Sequence, residues 1–185
     1  MIQYKLLEIL DKTTLQSVIN IFGNSNIYKF TNTIIGINYD FQGLTYIDVL
    51  QKVVGLNVRQ WTLTSNRFMK IIEYAIDNNL KLGSIEFLEF IDSHCIKTIN
   101  DNIIKINFMK NSKDKENLKK NIIEDLKWIM LDECIDIKSI FLSFESNSYP
   151  FTVDVKFFNN GVIYIDDDFV PENINLFLKE FFQEV

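Results

Sequence analysis

Histidine, cysteine, proline and glycine are all scarce in this chain, with one, two, two and six copies among 185 residues. The single histidine, His94, rules out a cluster of imidazole ligands, and a Ser-His-Asp or Cys-His centre would have to be built on it. Cys95 is its sequence neighbour, but adjacent residues on a helix point about 100° apart, so the two form no nucleophile and base pair by themselves. Cys95 and Cys134 are not spaced as a metal knuckle or redox pair, and they read as reduced core residues. The glycines make no phosphate-cradling loop, and neither a G-x-S-x-G elbow nor an H-E-x-x-H helix is present. No apolar run approaches the roughly 18 residues needed to span a bilayer. The start has no basic leader and carries Glu8 inside its first apolar stretch. The expectation is a cytoplasmic protein without a membrane partner.

What the chain does contain is core. Hydrophobic residues make up 47% of it, and phenylalanine alone appears 16 times. That composition excludes disorder and suits one packed domain over residues 1–185. The segment Asn100-Asp101-Asn102 is the weaker candidate for an internal boundary. Heavy use of Ile, Asn and Lys is the bias of an AT-rich genome, bacterial or phage.

The formal charge of -6 is unevenly placed. The first 100 residues are balanced. From Glu124 to the end there are 13 acidic residues against 4 basic ones. Such a field repels nucleic acid and anionic lipid and attracts a basic partner. The basic stretch Lys105, Lys110, Lys113, Lys115, Lys119 and Lys120 lacks arginine and interleaved aromatics, which phosphate and base recognition favour. It reads as a solvated loop and helix start.

Hydrophobic spacing predicts a mainly helical N-terminal half. Residues 2–22 fit one broken helix or two short ones, with Leu6, Leu7 and Leu10 followed by Leu15, Val18, Ile19 and Phe22. Residues 27–41 are rich in β-branched and aromatic types and predict one or two strands, with Gly36 marking a bulge. A short helix over 44–54 stops at Gly55. A helix opened by Thr64 or Ser65 buries Phe68, Ile71, Ile72 and Ala75. Gly83-Ser84 opens another, with Phe87, Ile91, Cys95 and Ile99 in one row. The C-terminal half predicts β-α-β-β-β-α, an antiparallel sheet covered by helices, making the class α+β. Its strands are 104–108, 136–144, 151–158 and 162–165. Leu118, Ile122, Leu126 and Met130 mark its long helix, and Pro171 opens the last one. A three-residue turn, Asn159-Asn160-Gly161, joins the last two strands, with Gly161 left-handed.

One constellation has chemical content. Asp166-Asp167-Asp168 follows the last strand, Asp154 lies on the strand before it, and Glu172 opens the final helix. As a metal site, Asp154, Asp166 and Asp168 would offer hard oxygen ligands. Consecutive residues on extended chain cannot all face one ion, so no metal and no cofactor is expected. As a surface, Asp154, Asp166, Asp167, Asp168 and Glu172 would meet a basic protein partner. No motif ties the chain to a family. The functional expectation is a small acidic protein that binds and inhibits another protein without catalysis. A bacterial toxin-immunity protein and a phage-encoded inhibitor of a host defence system are the two kinds that fit. The alternatives are a metal-dependent enzyme using the carboxylate cluster, and an adaptor or structural subunit.

Overall fold

The computed structural model describes residues 1–40, 42–110, 113–145, 152–167 and 170–184. The chain divides into two compact units, Met1–Thr62 with Asn160–Val185, and Leu63–Asn159. The described residues form eight strands and six α-helices. The class is α+β with antiparallel pairing in both units. The mainly helical N-terminal half is overturned, because five of the eight strands lie at or before Phe87.

In the first unit the chain opens on a strand, β1 (Ile2–Ile9), where the leucine spacing had suggested helix. Tyr4 and Leu6 are buried on one face, and Lys5, Leu7 and Ile9 on the other. A strand buried on both faces shows no polar alternation, so its apolar run is open to a helical reading. Asp11 then starts α1 (Lys12–Phe22), its carboxylate accepting from the Thr14 amide at 2.7 Å. Hydrogen bonds from Thr13, Asn57 and Thr14 hold that carboxyl well below the usual range.

β2 (Ile27–Lys29) and β3 (Ile34–Asn38) follow as expected. Gly36 is not a bulge, because its register with Leu6 and Tyr28 is regular. A Cβ there would lie 2.8 Å from the Phe30 ring and 3.0 Å from the Tyr4 Cβ, so close packing explains the glycine. Thr45 and Asp48 form a capping box on α2 (Tyr46–Lys52), which ends ahead of Gly55 at φ 85°. β1 is the hub of the sheet, pairing with β3, with β4 (Val58–Gln60) and with β8 (Val162–Ile165). The last helix, α6 (Glu172–Glu184), buries Ile174, Phe177, Leu178, Phe181 and Phe182. Its Phe182 meets Phe30 at 4.6 Å and Trp61 at 5.0 Å between ring centres.

The second unit begins with α3 (Ser65–Asp77), which buries the expected apolar face. The next segment differs from expectation. Residues 81–87 are a strand, β5 (Lys81–Phe87), and α4 (Ser93–Asn107) starts only after Asp92 caps it. Phe87 and Cys95 are therefore half-buried and share no row, although Ile91 is buried. The expected strand at 104–108 is the end of α4. Ile99, Ile103 and Ile106 form the buried helical row, while Ile104 and Phe108, which supplied the alternating pattern, are exposed. Residues 100–102 lie inside this helix.

α5 (Lys113–Leu131) buries Ile122, Ile123, Leu126 and Ile129. Its first turns are only in part the solvated helix start expected, since Lys113 and Lys120 are exposed but Lys115 is buried and Lys119 half-buried. Lys115 donates to the Ile76 carbonyl at 2.6 Å and to Asn79 at 2.8 Å. Lys119 meets Asp77 at 2.5 Å. Both cations sit on the C-terminal end of α3, where the helix dipole favours them. β6 (Ile137–Glu145) pairs with β5 and with β7 (Thr152–Phe158), burying Ile140, Leu142, Phe144, Val153, Val155 and Phe157 on one face. Residues 159–161 follow β7 as the expected three-residue connection, with Gly161 at φ 75°.

Candidate functional site

Of the five carboxylates singled out, Asp154 lies on β7 in the second unit, and Asp166, Asp167 and Glu172 lie in the first. Asp168 lies outside the described residues. The Asp154 carboxylate is half-buried and accepts from the Ser143 hydroxyl at 2.7 Å, its cross-strand partner in the register. Asp166 is exposed just past β8, with the Tyr164 hydroxyl at 3.4 Å. The Tyr164 phenol is pushed up by burial first and by this carboxylate second. Asp167 is half-buried. Glu172 is exposed in the first turn of α6, where a negative charge meets the positive end of the helix dipole. No group of three or more His, Cys, Asp or Glu side chains converges as a metal site among the described residues. What these side chains can do chemically is present negative charge.

Sequence reading missed the most unusual ionisable group. Lys5 is completely buried on β1. Its Nζ donates to the Asn160 carbonyl and sits 5.3 Å from the centre of the Tyr46 ring. No carboxylate pairs with it among the described residues. Burial lowers its pKa to about 8. A period-two reading of residues 2–9 would have placed Lys5 on the face of Leu7 and Ile9. A helical reading hid it.

The surroundings of Lys5 are closely packed. A Cβ on Gly161 would lie 3.2 Å from the Nζ and 1.8 Å from the Trp61 carbonyl oxygen. Leu6 bonds to both neighbours of this crossing, donating to Gly161 at 2.8 Å and accepting from Trp61 at 3.2 Å. The ammonium thus holds the turn before β8 against the central strand, and its role here is structural.

The second unit carries an ionic network on the sheet face opposite its buried aliphatic one. Glu86 accepts from Lys156 and from the Ser139 hydroxyl, each at 2.8 Å. Lys138 approaches it at 4.0 Å. These contacts hold the Glu86 carboxyl below its ordinary range. They join β5, β6 and β7 across the face.

His94 is exposed in the first turn of α4, where only its backbone serves the Asp92 cap. Cys134 is exposed and Cys95 half-buried, both with free thiols, so neither is the core residue expected. No helix among the described residues is long and apolar enough to cross a membrane. No protein-family model, curated protein or solved structure matches the chain.

Proposed function

We propose that the protein acts by binding. It docks on another protein that offers a basic surface and inhibits it without catalysis. A toxin-immunity protein or a phage-encoded inhibitor of a host defence system works in this manner. The observation that supports this reading is the charge distribution. Thirteen acidic residues against four basic ones follow residue 123, with Asp166 and Glu172 exposed at the entry to α6. An excess of exposed negative charge speeds encounter with an oppositely charged protein and disfavours wrong partners.

The test is capture from a bacterial host with the tagged protein, followed by measurement on the purified pair. The reading expects affinity and association rate to fall as salt rises, and the activity of the captured protein to be suppressed at saturation. A captured protein whose binding ignores salt and whose activity is unchanged would overturn it.

A further inference from the structure

The end of the second unit where α4 begins and α5 ends exposes large apolar side chains on segments that also carry carboxylates. Phe90 is 89% exposed, Leu131 75%, Leu88 52% and Trp128 48%. The chain brings them to one end of the second unit. Trp128 and Leu131 are three residues apart on the last turns of α5, so they are neighbours on the helix surface. The backbone then turns back, and the Leu88 amide donates to the Asp136 carbonyl at 2.9 Å. Phe90 stands two residues from Leu88 and two from Asp92, the cap of α4.

The charges around this end come from three segments that converge. Asp92, Asp125 and Glu133 act together on the Cys95 thiol, which burial and then these carboxylates push upward. Glu89, Asp132 and Asp136, all exposed, add three more acids. Among the described residues none of the six carboxylates is in an ion pair. Asp132 and Glu133 directly follow α5, whose last turn carries no basic residue. A helix C-terminus favours cations, so acids there oppose the dipole. Fold stability does not explain that choice of charge, whereas a cation brought by a partner would relieve it.

We infer that this end of the second unit is the docking surface for a basic amphipathic segment of a partner protein. Its apolar side would cover Leu88, Phe90, Trp128 and Leu131, and its Lys or Arg residues would meet the surrounding carboxylates. Charge complementarity selects this occupant. An anionic membrane or a nucleic acid would be repelled, and a second copy would bring the same acids face to face. Apolar anchors within a polar rim are the anatomy of a specific interface. The inference rests on the proposed binding function and adds the surface and the partner's chemistry.

The probe is a fluorescent amphipathic peptide of Lys and Leu at helical spacing, with a Glu and Leu peptide of the same pattern as control. The expected result is saturable binding of the Lys peptide that weakens with salt, and none of the Glu peptide. Phe90→Ser with Leu131→Ser should weaken it at least tenfold at unchanged melting temperature, and Asp132→Lys with Glu133→Lys should weaken it as much while the melting temperature holds or rises, since the new cations suit the helix C-terminus. Equal binding of both peptides overturns the proposal, and so does binding that both double variants leave unaltered. A concentration-dependent dimer in sedimentation that Phe90→Ser with Leu131→Ser dissolves would also overturn it, giving the surface to a second copy. If Asp166→Lys with Glu172→Lys abolishes binding while the variants at this end do not, this surface is wrong and the acidic-binder reading stands. Absence of binding by the Lys peptide overturns the surface, and the captured-protein experiment then judges the binding function separately.

Discussion

Asn107, the last residue of α4, closes the backbone of Leu82 on both sides. Its amide Nδ2 donates to the Leu82 carbonyl at 2.6 Å, and its Oδ1 accepts from the Leu82 amide at 3.0 Å. Among the described residues of the second unit β5 pairs only with β6, and the register between them shifts twice. An unpaired strand edge invites other chains, and irregular register together with side-chain cover are means of blocking it. Asn107 supplies the donor and acceptor that a further strand would otherwise provide.

Asn107→Ala should therefore act in two ways. Stability should fall by about 1–3 kcal/mol, because both Leu82 groups lose their partner. The Leu82 amide should lose protection from hydrogen exchange, and self-association should rise with concentration. Urea titration and exchange on the same sample check both. A variant with unchanged Leu82 protection would show that the amide plug is dispensable.

Lys5 predicts a pH dependence of defined sign. Its folded pKa of about 8 lies below the ordinary lysine value of about 10.4. Between these values the unfolded chain binds a proton that the folded chain does not, so this group makes stability rise with pH across that window. The burial cost is fully present below pH 8 and on the order of 3 kcal/mol. Tyr4, Tyr28, Tyr39 and Tyr46 have raised pKa values, and their contribution runs the other way, from about pH 10 upward. Subtracting the Lys5→Met variant isolates the lysine. Wild type should gain stability relative to Lys5→Met between pH 8 and 10. A flat difference would place the charge in a wetter site than the structure gives it.

Gly161→Ala should be among the most damaging single changes in the first unit. Its φ of 75° is disfavoured for any side chain, and the new Cβ would run into the Trp61 carbonyl. The neighbouring atom is backbone, so relief requires moving β4 or the turn. We expect a loss of at least about 2 kcal/mol, read from chemical denaturation. Gly55 is the control, since it has a similar φ of 85° but nothing within 4 Å of its Cβ position. Gly55→Ala should cost less.

Charge reversal at the entry to α6 tests the acidic surface apart from the fold. Asp166→Lys with Glu172→Lys should slow association with a captured basic partner and flatten its salt dependence. The melting temperature should change little, although Glu172→Lys alone should cost a few tenths of a kcal/mol to about 1 kcal/mol by opposing the helix dipole. Stopped-flow association at two salt concentrations gives the answer. Equal rates for wild type and variant would remove Asp166 and Glu172 from the interface.

The chain by itself determined the class, the strands from Ile137 onward and the final helix. Val153, Val155 and Phe157 alternate with polar or half-buried neighbours because one face of β7 is packed and the other carries Asp154 and Lys156. Local chemistry also marked the short helix that ends ahead of Gly55 and the left-handed Gly161. Only the tertiary structure decided residues 2–9 and 81–108. β1 is buried on both faces, which erases alternation, and the rows at 87–99 and 104–108 each had a competing period of similar quality. The site followed the same division. Exposed carboxylates such as Asp166 can be read directly as charge. Lys5 and the apolar end of the second unit are assembled from segments far apart in the chain. Whether an ionisable or apolar side chain is covered depends on what packs against it, and local spacing carries no record of that.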